Sequence, residues 1–121
     1  MNKTIKNDIK KVIGLIKKGW AKNCLFRDKA NKEIDVGTGT LWSLLHKKDS
    51  IKEVERNKYK ICKCCLEGAV YLASKKPLEV QEYLKGKLKE FKFADYEEGL
   101  ACFNDSCSDK RQILRFLEKT V

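Results

Sequence analysis

Residues 3–19 read KTIKNDIKKVIGLIKKG, a pattern typical of an amphipathic α-helix. Apolar residues recur there at helical spacing, so they should form one stripe facing the core. The stripe consists of Ile5, Ile9, Val12, Ile13 and Ile16. Lysines fill most of the remaining positions, and the two before Gly19 suit the negative end of the helix dipole. We expect the helix to end at Gly19 in the left-handed conformation.

Apolar residues recur at helical spacing in three later segments, 64–74, 77–91 and 108–120. Two shorter helices are expected near residues 41–45 and 50–54. At 121 residues the chain has about the modal size of a single domain, and no linker or internal repeat interrupts it. The sequence therefore predicts one all-α domain over residues 1–121, a compact orthogonal bundle of five or six short helices.

The segments between these helices carry turn and capping signals. Residues 21–40 lose the helical period and contain two turn-forming glycines, so we expect a long loop with a short extended piece. Ser50 should cap a short helix, because a glutamate follows it at capping-box spacing. A polar turn through Asp95 and Gly99 should precede the last helix, with Ser108 as its cap.

The chain carries 27 Lys and Arg residues against 17 Asp and Glu residues, which gives a net charge of +10. Such a surface attracts anionic partners, including nucleic acid, although a solvated surface without any partner is the simpler alternative. The first helix is the densest positive region. Its candidate anion-binding residues are Lys3, Lys6, Lys10, Lys11, Lys17 and Lys18.

No apolar run approaches the ~20 residues that a membrane span needs. The N-terminal residues also lack the apolar core of a secretion signal. We therefore expect a cytoplasmic protein that has no membrane partner.

The cysteines could form a zinc site, because Cys62-x-x-Cys65 and Cys102-x4-Cys107 together offer four thiolates. Cys65 and Cys102 lie in apolar patterns, however, which favours buried free thiols. The single histidine, His46, lies beside lysines and outside any catalytic pattern. We expect no metal, no cofactor and no catalytic residues.

Three motifs occur in a recognisable order. Residues 9–28 read Ile-x3-Ile-x2-Ile-x2-Gly-Trp and then Arg-Asp, residues 65–69 read Cys-Leu-Glu-Gly-Ala, and residues 103–105 read Phe-Asn-Asp. In this order the chain resembles the domain-of-unknown-function family numbered 6197, found in bacteria and their phages. The resemblance covers residues 5–120. The chain differs from the family in two respects: it has Phe103 where the family usually has Trp, and its segment 29–60 looks like an enlarged insertion.

The resemblance indicates which residues of this chain match the family's motifs, but the family has no settled activity to assign to them. The polar or special residues that match the family's motifs are Gly19, Trp20, Arg27, Asp28, Gly68, Asn104 and Asp105. These residues can be architectural, with glycines allowing close packing and polar side chains satisfying buried amides. They can instead line one ligand-binding pocket. The candidate pocket residues are Trp20, Arg27, Asp28, Asn104 and Asp105, since antiparallel packing of the first and last helices would bring residues 20–28 near 103–107.

These observations favour a small, non-catalytic binding protein that engages an anionic partner, either a nucleotide-like ligand or nucleic acid. The resemblance adds a phage-borne accessory or counter-defence role, with the host cytoplasm as its location and a host or phage protein as a further partner. Two alternatives stay open. One is an enzyme with a small polar pocket around Arg27, Asn104 and Asp105, and the other is a protein–protein inhibitor.

Overall fold

The computed structural model describes residues 2–92 and 99–121. The first helix, α1, spans Lys3–Lys18 and confirms the predicted amphipathic helix. Asn2 caps it, because its side-chain oxygen accepts the N–H of Ile5 at 2.8 Å. The apolar stripe faces the core and is buried at Ile9, Val12, Ile13 and Ile16.

Gly19 ends α1, but the expected left-handed conformation is wrong. Its φ is −179°, which is extended backbone. The glycine is required for space, since a Cβ there would overlap the carbonyl oxygen of Cys62. The chain then pairs with Cys64, which donates its N–H to the carbonyl of Gly19 at 3.0 Å and accepts the N–H of Ala21 at 2.9 Å.

Six more α-helices follow in the described residues. They are α2 (Leu41–His46), α3 (Lys48–Asn57), α4 (Leu66–Ala73), α5 (Pro77–Glu90), α6 (Gly99–Ser106) and α7 (Lys110–Lys119). Two short strands, β1 (Phe26–Arg27) and β2 (Lys63–Cys64), pair antiparallel. The all-α class is confirmed, with seven helices where five or six were expected. None of these helices combines the length and apolarity that crossing a membrane requires.

Two predicted helix caps are wrong. The helix assigned to Ser50 begins at Lys48, so the serine lies inside α3, where it is buried. Asp109, and not Ser108, caps α7 by accepting the N–H of Arg111 at 2.9 Å. A carboxylate is favoured at this position because it also meets the positive end of the helix dipole.

The central helix is shorter than predicted. It begins at Leu66, because Cys64 belongs to β2 and the thiol of Cys65 caps the helix by accepting the N–H of Gly68 at 3.3 Å. Leu72, near the end of the helix, is only half-buried. The fully buried apolar side chains of α4 are those of Leu66, Ala69 and Val70.

Helix α6 was not predicted from the sequence. The only expectation for this region was a polar turn through Asp95 and Gly99, whereas the helix spans Gly99–Ser106. Gly99, its first residue, has a positive φ of 74°. Asp95, the other residue of the predicted turn, lies outside the described residues. The buried residues of α6 are Leu100, Phe103 and Asn104. The helix was missed because one of these three positions carries an amide, which interrupts the apolar pattern.

The core is one cluster of buried apolar side chains centred on α4, which packs against α1, α2, α5 and α6. Segment 29–60 contributes to this cluster through α2, α3 and the loop before them. Its buried apolar side chains are those of Val36, Leu41, Leu44 and Val54. The segment that looked like an insertion therefore helps to build the core.

Candidate functional site

The side chain of Asn104 joins three parts of the chain in the interior, where it is fully buried. Its Oδ1 accepts the indole N–H of Trp20 at 2.7 Å and the backbone N–H of Leu66 at 3.0 Å. Its Nδ2 donates to the carbonyl of Ala21 and to Oδ1 of Asp105, both at 3.0 Å. An amide has two donor and two acceptor positions, so these bonds use all four.

We refer to these five residues, Asn104 with Trp20, Ala21, Leu66 and Asp105, as the Asn104 cluster. Leu66 is the first residue of α4, so its N–H has no partner within that helix. Asn104 supplies the partner and at the same time holds the chain where it leaves α1. The cluster therefore fixes the relative placement of α1, α4 and α6.

Asp105 extends the cluster toward the surface. Its Oδ1 also accepts the backbone N–H of Asn23 at 2.8 Å. Asn23 has a positive φ of 68°, a conformation that asparagine tolerates better than most residues. The predicted approach of residues 20–28 to residues 103–107 is confirmed by these bonds, although α6 and not α7 supplies the second side.

Arg27 lies close to the cluster but does not join it. Its guanidinium donates to the carbonyls of Asn31 at 3.0 Å and Lys22 at 3.1 Å. No ion pair with Asp105 forms in the described residues. The half-buried thiol of Cys24 lies within the field of both charges: burial raises its pKa most, Arg27 lowers it and Asp105 raises it further.

Asp28 shapes the same loop. Its Oδ1 accepts the backbone N–H groups of Ala30 and Lys32, each at 2.9 Å, which forms an Asx turn. Three of the five predicted pocket residues, Trp20, Asn104 and Asp105, thus belong to the Asn104 cluster. The other two, Arg27 and Asp28, bond to backbone groups of residues 22 and 30–32. Asn104 has all four of its hydrogen-bonding positions occupied by protein groups, which supports an architectural role for this side chain.

The lysines of α1 have a different environment. All six predicted anion-binding residues are exposed, and none of them forms an ion pair in the described residues. Helix α7 packs beside α1, and the ammonium group of Lys110 donates to the carbonyl oxygen of Lys17 at 3.1 Å. The end of α1 therefore gains a further cation from a distant part of the sequence.

The cysteines are divided between interior and surface. Cys64, Cys65 and Cys107 are buried, whereas Cys62 and Cys102 are exposed. Burial raises the pKa of Cys64 and of Cys65 to about 12, so both are neutral thiols at physiological pH. Within residues 2–92 and 99–121, no three His, Cys, Asp or Glu side chains lie together as a metal site would require.

Glu67 is a buried carboxylate that the sequence analysis missed. It lies in the first turn of α4, and Nε2 of Gln81 donates to its Oε2 at 2.9 Å. Burial raises its pKa above the ordinary value of 4.5, against the lowering effects of the Leu41 N–H, of Gln81 and of the charge on Lys85. Its signal in the sequence is a lone carboxylate among the apolar residues of the central helix.

Replacing Glu67 with glutamine should raise the melting temperature at neutral pH. The folded protein holds the Glu67 proton more tightly than the unfolded chain, so the wild type loses stability as pH rises from about 4.5 through the raised pKa. Glutamine does not ionise, and its one amide oxygen stays available to the Leu41 N–H and to Gln81. Calorimetry should show a gain that disappears below about pH 4.5, whereas the exposed control Glu118→Gln should show none. A lower melting temperature at neutral pH would contradict the expectation.

A groove of about 330 Å³ opens between the end of α1 and the segment that joins α3 to α4. Its apolar side chains are those of Leu15, Ile61 and Leu72, and both Lys18 and Lys58 line it. The 3-10 turn beside it, Lys58–Lys60, carries the most exposed large apolar side chain described, that of Tyr59 at 80%. No local pattern in the sequence indicates this groove, because the residues that form its walls are distant in the chain.

No protein-family model, curated protein or solved structure matches this chain. The resemblance to family 6197 stays a prediction.

Proposed function

We propose that this chain is a non-catalytic binding protein that engages nucleic acid through the exposed lysines of α1. The observation that carries the proposal is that six lysines on one helix are exposed and form no ion pair with the described residues. Helix α5 differs, because carboxylates at short helical spacing pair with its lysines, Glu82 with Lys85 at 3.8 Å and Glu90 with Lys87 at 2.8 Å. Those on α1 are left available to an external anion.

The arrangement of these lysines supports an extended partner. Helical periodicity groups Lys3, Lys6, Lys10 and Lys17 on one stripe of α1 and Lys11 with Lys18 on a second. The rows run along a helix of 16 residues, which at 1.5 Å per residue is about 24 Å long. A row of positive charges of that length suits a polymer of phosphates better than a single small anion.

The buried Asn104 cluster also favours a partner that binds at the protein surface. A nucleotide-like ligand at the Asn104 cluster would need hydrogen-bonding groups that face it. Asn104 has already used all four of its hydrogen-bonding positions within the protein. Binding on the surface requires no rearrangement of this cluster. The phage-borne accessory or counter-defence role, in the host cytoplasm, is the wider part of the proposal and rests on the resemblance alone.

Neutralising the first stripe should weaken binding to nucleic acid strongly. The test variant replaces Lys3, Lys6, Lys10 and Lys17 with glutamine, which has nearly the same helix propensity as lysine. Each lost phosphate contact should make the slope of log K against log salt shallower by about 0.9 for a duplex. Fluorescence anisotropy with labelled DNA over a range of salt concentrations measures both the affinity and this slope.

A matched control removes the same charge elsewhere. It replaces four exposed lysines outside α1 with glutamine, namely Lys29, Lys32, Lys47 and Lys52. The control should keep most of the affinity, since net charge falls equally in both variants and only the location differs. Equal losses in the two variants, or a wild type that binds no nucleic acid at low salt, would overturn the proposal.

A further inference from the structure

The groove beside Lys58–Lys60 combines charge with apolar surface. Lys18 comes from the second lysine stripe of α1, so the basic surface of that helix reaches the groove edge. Lys58 lies at the same groove and is only loosely paired, with its Nζ 3.9 Å from the carboxylate of Glu55. The rest of the lining consists of Leu15, Ile61 and Leu72 together with the thiols of Cys62 and Cys64.

Tyr59 adds an aromatic surface at this place. Its side chain is 80% exposed, and the ammonium group of Lys60 lies 5.6 Å from the ring centroid. The turn thus presents an exposed ring with the Lys60 ammonium group close to it and with Lys58 next to it in the sequence. Rings interleaved with positive charges bind unpaired nucleotides, because a base can stack on the ring while its phosphates meet the cations.

We propose that this groove and the Lys58–Lys60 turn at its edge bind an unpaired nucleotide of single-stranded nucleic acid, with the exposed ring of Tyr59 as the stacking surface and Lys18 and Lys58 as the phosphate contacts. The inference rests on the proposed function, since it extends the same basic surface of α1. It adds a preference for single strands over duplex. In a duplex the base faces are stacked on each other and cannot reach an aromatic side chain, whereas in a single strand they can.

The groove volume fits this occupant. About 330 Å³ lies at the lower end of the range for small-molecule pockets, which leaves room for one nucleotide and not for a folded partner. The apolar lining from Leu15, Ile61 and Leu72 offers contact to the base without fixing which base it is. We therefore expect weak sequence preference, as is usual where stacking supplies the binding energy.

The test compares three labelled probes by fluorescence anisotropy: oligothymidine, oligouridine and a DNA duplex. Wild-type protein should bind both single strands more tightly than the duplex. Tyr59→Ala should lose about 5- to 150-fold in affinity for the single strands, the range that stacking energies give, and little for the duplex. Tyr59→Phe is the matched control and should retain the affinity, because it keeps the aromatic ring.

A second variant tests the phosphate contact independently. Lys58→Gln should weaken single-strand binding and make its salt slope shallower by about 0.7. Circular dichroism should show both variants folded, since both side chains are exposed. Duplex binding with no preference for single strands and no effect of Tyr59→Ala would overturn this inference and leave the proposed function standing. A wild type that binds none of the probes would overturn both.

Discussion

Replacing Asn104 with alanine should lower the free energy of unfolding by about 3–5 kcal/mol. The substitution leaves the N–H of Leu66 and the carbonyl of Ala21 buried without their partner, and each such orphaned group costs about 1–3 kcal/mol. It also leaves a small void in a fully buried site. Urea denaturation followed by circular dichroism measures the loss.

A graded control separates this network from ordinary packing. Trp20→Phe removes the indole N–H and the five-membered ring of a half-buried side chain, so it should cost about 1–2 kcal/mol, one hydrogen bond plus a modest loss of packing. Asn7→Ala, on the exposed side of α1, should change stability by less than about 0.5 kcal/mol. If Asn104→Ala costs no more than Trp20→Phe, the cluster does not hold the three segments together.

Replacing Gly68 with alanine should destabilise the fold by about 1–3 kcal/mol, although alanine is the better helix former. A Cβ at Gly68 would lie 2.7 Å from the carbonyl oxygen of Leu25 and 2.8 Å from a ring carbon of Phe26. Neither neighbour can move easily. The Leu25 carbonyl accepts the N–H of Cys65 at 2.9 Å, and Phe26 is completely buried.

The same substitution at two other helical glycines is the matched control. Gly14 in α1 and Gly86 in α5 have no atom within 4 Å of a built Cβ. Gly14→Ala and Gly86→Ala should therefore stabilise the protein, each by about 0.5–1 kcal/mol. Thermal unfolding of the three variants tests the opposite signs. A stabilising Gly68→Ala would show that α4 does not pack closely on residues 25 and 26.

These two predictions involve positions for which the sequence left two roles open, an architectural role and a ligand-binding role. Gly68 and Asn104 both lie in the motifs of the resemblance, and each could equally have served a ligand. Close packing against Leu25 and Phe26 explains the glycine, and four internal hydrogen bonds explain the asparagine. Both explanations require neighbours that are distant in the chain, so no local pattern could supply them.

The sequence also offers more than one candidate capping residue at the starts of α3 and α7. Ser50 and Ser108 each carry an acceptor side chain suitable for capping, yet α3 begins before the first and Asp109 caps α7 after the second. Adjacent residues offer similar caps, and the tertiary position of the helix decides between them. Gly19 is a further example of a residue whose role depends on tertiary structure. A glycine is required there because a Cβ would overlap the Cys62 carbonyl, and not because the backbone adopts a left-handed conformation.

The sequence by itself determined the helical class, the extent of α1 and the lysines exposed along it. These features follow from the period of apolar residues within one segment, which each helix carries in its own residues. Only the tertiary structure decided what Asn104, Glu67 and Tyr59 do. Their hydrogen bonds, burial and neighbouring groove come from segments far apart in the chain, and the pairing of such segments is fixed by packing of the whole core.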